Sequence, residues 1–158
     1  VGVMYDDGGV GATLTGATYN GVAMTLLLDV VHSRAGYRIA EFGLLAPAQS
    51  AAHNVVITVS ATTDIISCAA SYLGVQQIDA HTSATAASGT ALTATLATVK
   101  NNTWTIGFVD ADQGWSAVVT GTLRTRGSPD FAQIMDSNAN QAAPGNVTIA
   151  ATQSASGN

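Results

Sequence analysis

Two pairs of neighbouring carboxylates are the first side chains whose spacing could support chemistry. Asp110 and Asp112 are separated by one residue shortly before a glycine, and Asp6 and Asp7 are adjacent at another turn. Carboxylates spaced two apart in a loop can share a Ca²⁺ ion, which takes about six to eight oxygen ligands. The other ligands of an EF-hand loop are absent, so we expect solvated turn residues, with no metal and no other cofactor.

Trp115 is the best candidate for a ligand-binding aromatic side chain. It follows Gly114, and Asp110, Asp112 and Gln113 lie beside it in sequence. An exposed aromatic ring with carboxylate and amide groups nearby suits a sugar, because one end of the site is apolar and the other polar. These residues form the predicted glycan site. The alternative is that Trp115 anchors the inner face of a sheet near a corner.

No catalytic nucleophile and base can be paired from the sequence. His32, His53 and His81 lack a His or Cys neighbour at the spacing of a zinc site, and there is no Gly-x-Ser-x-Gly elbow. The single cysteine, Cys68, excludes an internal disulfide and lies in an apolar run that predicts a core position. We therefore expect no catalytic residues and no enzymatic activity.

Short β-strands separated by turn residues are the elements that must position these side chains. Helix signals are nearly absent, whereas runs rich in β-branched residues recur at short intervals. Asn20-Gly21 and residues 100–102 predict tight turns, because Asn and Gly accept positive φ. The predicted strands are residues 2–5, 13–19, 22–31, 37–45, 54–60, 65–72, 91–99, 104–109, 115–124 and 146–151.

Alternating apolar residues predict which strand faces are buried. Trp104, Ile106 and Phe108 alternate and are expected to point inward together. Residues 74–89 predict a surface loop, and residues 126–145 predict the longest irregular stretch. These features predict an all-β fold: an antiparallel two-sheet β-sandwich, jelly-roll-like, with about eight to ten strands and no long helix. We expect residues 1–158 to form a single domain.

The charge content excludes several classes of protein. Charged residues make up 9% of the chain and the formal net charge is −5, so there is no cationic surface for nucleic acid. No apolar run reaches the roughly 18 residues of a membrane span. Lysine, which commonly protects the edge strands of sheets, is nearly absent. Unprotected edges favour a subunit whose edges are covered by partner subunits, and they are unfavourable for a free monomer.

Three segments together resemble a known type of module. Residues 18–25 (TYNGVAMT), 54–60 (NVVITVS) and 69–77 (AASYLGVQQ) resemble, in this order and spacing, a jelly-roll or immunoglobulin-like β-sandwich module. Such modules occur in phage virion proteins and in bacterial secreted or surface proteins. The resemblance covers roughly residues 2–151. It implies that the first and last strands are only partly present here, because such modules usually begin and end with fuller strands.

The resemblance, low charge and unprotected edges together predict a non-enzymatic structural or adhesion module on an extracellular particle. A phage virion is favoured, as capsid decoration, head fibre or tail appendage, acting through protein–protein packing. The expected partners are copies of the chain itself, other virion or surface subunits and a cell-surface glycan. Two alternatives stay open: a secreted bacterial carbohydrate-binding module, and a filament or surface-layer subunit that uses strand exchange. The expected location is a virion or the cell surface.

Overall fold

A computed structural model describes residues 1–8, 11–45, 47, 51–85, 89–111, 115–126 and 131–157. Within these ranges the protein is all-β: thirteen strands and no helix, and therefore no helix that could cross a membrane. The absence of helix agrees with the sequence, in which β-branched residues and turn formers dominate.

The strands follow the predicted runs closely, with three changes. The predicted strands 22–31 and 115–124 are each divided in two, and one strand lies where an irregular stretch was expected. The strands are β1 (Gly2–Asp6), β2 (Leu14–Tyr19), β3 (Val22–Ala23), β4 (Thr25–Val31), β5 (Tyr37–Gly43), β6 (Val55–Val59), β7 (Ile65–Cys68), β8 (Gly89–Thr98), β9 (Ile106–Asp110), β10 (Trp115–Thr120), β11 (Thr122–Arg126), β12 (Ala132–Asp136) and β13 (Gly145–Gly157).

Tight turns between strands form where Asn and Gly predicted them. Asn20 and Gly21, between β2 and β3, have φ angles of 51° and 74°. Two successive positive φ angles match the right-handed twist of the strands that a hairpin joins. Asn102, in the predicted turn at residues 100–102, also has a positive φ of 58°. Both turn predictions are confirmed.

The strands pair into four small antiparallel sheets. Sheet I has the order β4-β5-β1-β7, and sheet II has the order β3-β2-β6. Sheet III has the order β11-β12-β9, and sheet IV has the order β10-β13-β8. The all-β antiparallel prediction is thus confirmed, but the grouping of the strands into two sheets is not.

Sheets I and II pack together through one face of β1. Val3 and Tyr5 point to this face and form one apolar cluster with Ala40 of β5 and Ala17 of β2. Ile57 of β6 packs against the same cluster. Because side chains alternate along a strand, Gly2 and Met4 lie on the opposite face of sheet I.

Sheet III covers that opposite face of sheet I. Cys68 of β7 clusters with Ala132 and Ile134 of β12, and Phe108 of β9 packs against them. A Cβ atom at position 2 would overlap the Phe108 ring, so only glycine lets β1 approach β9 this closely. The core position predicted for Cys68 is confirmed.

Sheet IV packs on the other face of sheet III. Met135 of β12 and Val109 of β9 form an apolar cluster with Ile149 and Ala151 of β13. Ile134 and Met135 are consecutive, so they serve the two different interfaces. Sheets I and III are therefore each packed on both faces, which explains why β1 and β12 are the most buried strands of the described chain.

Two sequence expectations about burial are wrong. Residues 126–145 were expected to be irregular, yet β12 lies within them and all five of its residues are buried. Trp104 and Ile106 were expected to point inward with Phe108, yet they are 42% and 44% exposed. Phe108 alone packs inward, because β9 begins only at Ile106 and is an edge strand of sheet III.

Candidate functional site

The predicted glycan site is only partly within the described residues. Asp110 is the last residue of β9 and its side chain is only 4% exposed, so the expectation that it is a solvated turn residue is wrong. Trp115 is the first residue of β10 and its backbone is in register with Gln153 of β13. Asp112 and Gln113 lie outside the described residues, so the glycan site stays a prediction.

Asp110 forms a contact with His32 that sequence reasoning did not anticipate. His32 follows β4, and its Nε2 lies 3.5 Å from Oδ2 of Asp110. The backbone N–H of Arg34 donates to Nδ1 of His32 at 3.0 Å, which assigns the proton of the neutral imidazole to Nε2. The side chain of His32 is 9% exposed. The pair therefore joins the turn after β4 to the end of β9.

The geometry of this pair suits a structural contact better than acid–base chemistry. A general base needs a ring nitrogen within hydrogen-bond reach of a substrate proton. Here Nδ1 of His32 accepts from a backbone amide, and Nε2 faces the buried carboxylate of Asp110. A catalytic His–carboxylate pair usually leaves one ring nitrogen facing the substrate.

A second buried carboxylate, Asp136 at the end of β12, is fully enclosed by donors. Arg124 of β11 donates to it through Nε at 2.5 Å and Nη2 at 2.9 Å. The hydroxyl of Tyr72 and the backbone N–H of Asn138 each donate at 2.9 Å. This cluster ties the segment after β7, which contains Tyr72, to sheet III.

The ionisation of this cluster follows from its contacts. Burial by itself would raise the pKa of Asp136, but the donors Arg124 and Tyr72 and the Asn138 amide outweigh it and hold the pKa below its ordinary value. Burial and the Asp136 carboxylate raise the pKa of Tyr72, so its hydroxyl stays a neutral donor. The cluster is an ion pair with saturated hydrogen bonding, which is typical of a structural contact.

The polar clusters offer no metal site in the described part of the chain. No group of three or more His, Cys, Asp or Glu side chains lies close enough there to hold a metal ion. In a third cluster, on sheet I, Arg38 donates to Asp29 at 2.9 Å and the hydroxyl of Tyr5 donates at 3.3 Å. Its carboxylate, like that of Asp136, is occupied by donors from its own chain.

Exposed large apolar side chains lie both on strands at sheet edges and between strands. Among the described residues, every large apolar side chain that is both exposed and within a strand lies on an edge strand of its sheet. These edge residues are Val22, Leu26, Val31, Val56, Ile65 and Ile106. The others lie between strands, and Leu73 is 85% exposed.

The edge strands also lack the charges that usually prevent edge-to-edge pairing. Of the eight edge strands in the described sheets, β3, β6, β7, β8 and β10 contain no charged residue at all, and none contains a lysine. Charged side chains, above all lysine, and proline are the common devices that blunt an edge. The candidate functional site is therefore the set of five uncharged edge strands, β3, β6, β7, β8 and β10, which we call the open edges.

Comparisons with known proteins add no assignment. No protein-family model matches the chain, and neither the curated proteins nor the solved structures give a significant match. The protein is thus defined by its architecture, an all-β chain of small antiparallel sheets with open edges. Sequence reasoning missed the Arg124–Asp136 pair, because residues 12 apart in an unrecognised strand pair give no local signal.

Proposed function

We propose that this chain is a non-enzymatic structural module of an extracellular particle, and that it acts by packing against other protein subunits. The single observation that carries this proposal is the set of open edges, where unpaired strand backbone coincides with missing charges and, in β3, β6 and β7, with exposed apolar side chains. Exposed apolar side chains clustered at unpaired edges favour contact with another chain.

The sandwich-type resemblance of residues 18–25, 54–60 and 69–77 supports a phage virion as the particle, with the chain as capsid decoration, head fibre or tail appendage. A virion subunit is covered by neighbours for most of its life, so its edge strands do not need lysine or proline to prevent association. The buried polar clusters support the non-enzymatic part of the proposal, because the side chains of His32, Asp110 and Asp136 contact other side chains of the fold.

The proposal is tested on the native particle. An antibody against the chain is used to follow it through a density gradient of particles from the source culture. We expect the chain in the particle fraction, and we expect it to stay there after a wash in about 1 M salt, where charges are screened beyond roughly 3 Å. Apolar packing and backbone hydrogen bonds are little weakened by such a wash.

Two results would contradict the proposal. One is recovery of the chain only as a free monomer at the top of the gradient. The other is release of the chain by the salt wash, which would indicate adhesion through surface charges instead of packing. A capsid or shell protein detected in the same fractions is the internal control, because its position marks intact particles.

A further inference from the structure

Among the open edges, strand β8 is the longest and the most regular. It has ten residues and pairs only with β13 in sheet IV, which leaves its other side unpaired among the described strands. Its register with β13 is continuous from Thr98 opposite Gly145 to Ala91 opposite Thr152. The edge strands β4, β10 and β11 each contain a register irregularity, and β3 and β7 have only two and four residues.

Nine of the ten residues of β8 form a palindrome. Residues 90–98 read Thr-Ala-Leu-Thr-Ala-Thr-Leu-Ala-Thr in both directions, with Ala94 at the centre. A two-fold symmetric contact brings residue i against residue j and j against i. Antiparallel pairing of β8 with β8 of a second copy, centred on Ala94, therefore places every residue opposite its own type. Leu92 lies opposite Leu96 of the second copy, and Thr93 lies opposite Thr95.

The two faces of β8 are also suited to this pairing. Leu92 and Leu96 are half-buried on the face towards sheet III, where Leu92 packs against the Met135 cluster. Paired leucines would extend that apolar layer across the two copies. Thr93 and Thr95 are exposed on the outer face. Thr95 already forms a cross-strand hydroxyl contact of 3.0 Å with Thr148 of β13, which is the contact that threonines on paired β8 strands would repeat.

The absence of charge along β8 allows a second copy of the same chain to occupy this edge. The molecule carries a net charge of −5, so most contacts between copies bring like charges together. Neither β8 nor the stretch of β13 that pairs continuously with it, from Gly145 to Thr152, contains a charged residue. Two copies can therefore meet along β8 without apposing charged side chains from these strands.

We infer that β8 is a self-association edge, at which two copies of the chain pair antiparallel about Ala94 and join their sheets into one six-stranded sheet. This inference rests on the proposed function and names its partner: a second copy of the chain. One strand pair is smaller than the roughly 800 Å² per partner of a standard interface, so the dimer is weak and reversible in solution. Copies held close together in a particle pair more completely.

Charge complementation on the purified chain tests the inference. One variant carries Thr93→Lys with Thr95→Lys, and the other carries Thr93→Glu with Thr95→Glu. In the inferred register, each variant alone places like charges directly opposite each other at two positions. We expect sedimentation velocity to show about a tenfold or larger rise in the dimer Kd for each variant alone. An equal mixture should regain dimerisation, with the mixed dimer identified by its native mass.

A matched control places the same charges, at the same spacing, outside the edge strands. Thr82→Lys with Ala84→Lys puts two lysines on exposed positions between β7 and β8, and we expect it to dimerise like the wild type. Circular dichroism confirms that each variant is folded. The inference is overturned if either Thr93/Thr95 variant dimerises as well as wild type, if the mixture fails to recover, or if the Thr82/Ala84 variant loses association to the same extent.

Thiol cross-linking gives a second readout that does not depend on adding charge. The exposed positions Ala91 and Ala97 lie opposite each other in the inferred dimer, whereas the two copies of Ala91 lie about 20 Å apart along the strands. Ala91→Cys mixed with Ala97→Cys should therefore cross-link far more than either protein alone. Cys68 is buried and common to both proteins. Efficient cross-linking of Ala91→Cys by itself would exclude the register.

The outcomes separate this inference from the proposed function. A wild-type chain that associates but ignores charge on β8 overturns the β8 pairing and leaves the particle role standing. Absence of the chain from the particle fraction overturns the proposed function, whatever the purified chain does. A wild-type chain that stays monomeric at all concentrations, with no cross-linking between Ala91→Cys and Ala97→Cys, overturns the β8 pairing.

Discussion

The fold shifts the pKa values of two acidic side chains, Glu41 and Asp136, in opposite directions. Burial raises the pKa of Glu41, and the hydrogen bond of 3.0 Å that it accepts from the Phe108 amide only partly compensates. Asp136 has no solvent-exposed surface, yet its donors, led by Arg124, hold its pKa below the ordinary value. The difference is the ion pair: a carboxylate with an arginine partner ionises readily even where water is excluded.

These directions fix how each acid contributes to stability as the pH changes. The folded pKa of Asp136 is lowered, so its contribution is present above its ordinary value of 3.8 and is lost as the pH falls through the folded pKa. The folded pKa of Glu41 is raised, so its contribution is present below its ordinary value of 4.5 and is lost as the pH rises through the folded pKa.

Glu41→Gln should therefore remove a stability loss that the wild type suffers as the pH rises. The glutamine keeps an oxygen that can accept from the Phe108 amide, but it cannot ionise. We expect the free energy of unfolding of the variant, relative to wild type, to increase as the pH rises from about 4.5 through the raised pKa of Glu41. Urea unfolding at a series of pH values measures this difference. Asp79→Asn, at an exposed position, is the control. A difference that does not vary with pH would refute the prediction.

Gln133, in the middle of β12, has a buried amide group that contributes little to the stability of the fold. It is fully buried, and neither its Nε2 nor its Oε1 has a hydrogen-bond partner among the described residues. A buried polar group without partners destabilises the fold by about 1–3 kcal/mol. Gln133→Met keeps the shape of the side chain and removes the polar atoms.

We expect Gln133→Met to raise the free energy of unfolding by about 1–3 kcal/mol. Urea unfolding should show a higher midpoint with an unchanged slope, which indicates a change in stability alone. Gln76→Met, at an exposed position, is the matched control and should change stability by less than about 0.5 kcal/mol. A lower midpoint for Gln133→Met would show that the amide is needed where it is.

At the scale of elements, β12 is the strand on which the packing of the described sheets depends most. Ile134 packs towards sheet I and Met135 packs towards sheet IV, so one short strand supports two interfaces. Sequence patterns did not reveal it, because a strand buried on both faces lacks the alternation of apolar and polar residues. Its buried polar residues, Gln133 and Asp136, also interrupt the apolar run that would indicate a buried strand.

Met135→Ala tests the role of β12. Met135 is fully buried, so its truncation should lower the free energy of unfolding by about 2–5 kcal/mol through lost burial and a cavity. Leu73→Ala removes a similar apolar volume at a position that is 85% exposed, and should cost less than about 0.5 kcal/mol. Thermal or urea unfolding measures both. Equal effects of the two substitutions would contradict the central position of β12.

Local elements were otherwise the best predicted level of the structure. The turn at Asn20-Gly21 was predicted because its backbone demands positive φ, which is a property of two residues. The burial of Trp104 was not predicted correctly, since it depends on where β9 begins and on the sheet edge beside it.

At the scale of the whole molecule, stacking leaves edges that the fold itself does not cover. Sheets I and III are packed on both faces, so their apolar faces are buried within the chain. The strand edges and the outer faces of sheets II and IV stay exposed, and the association tests on β8 and on the native particle address the edges. The predicted glycan site at Trp115 stays a prediction, because Asp110 contacts His32 and two of the four predicted residues lie outside the described ranges.

The sequence by itself determined the all-β character, the turns and most strand positions, because these depend on the preferences of residues a few positions apart. It also contained the palindrome of residues 90–98. Only the tertiary structure decided which strands pair, that β12 is central and that β8 lies at an open edge. Those outcomes depend on contacts between distant residues, such as Cys68 with Ala132 and Val3 with Ala17, and burial is set by such contacts and not by local composition.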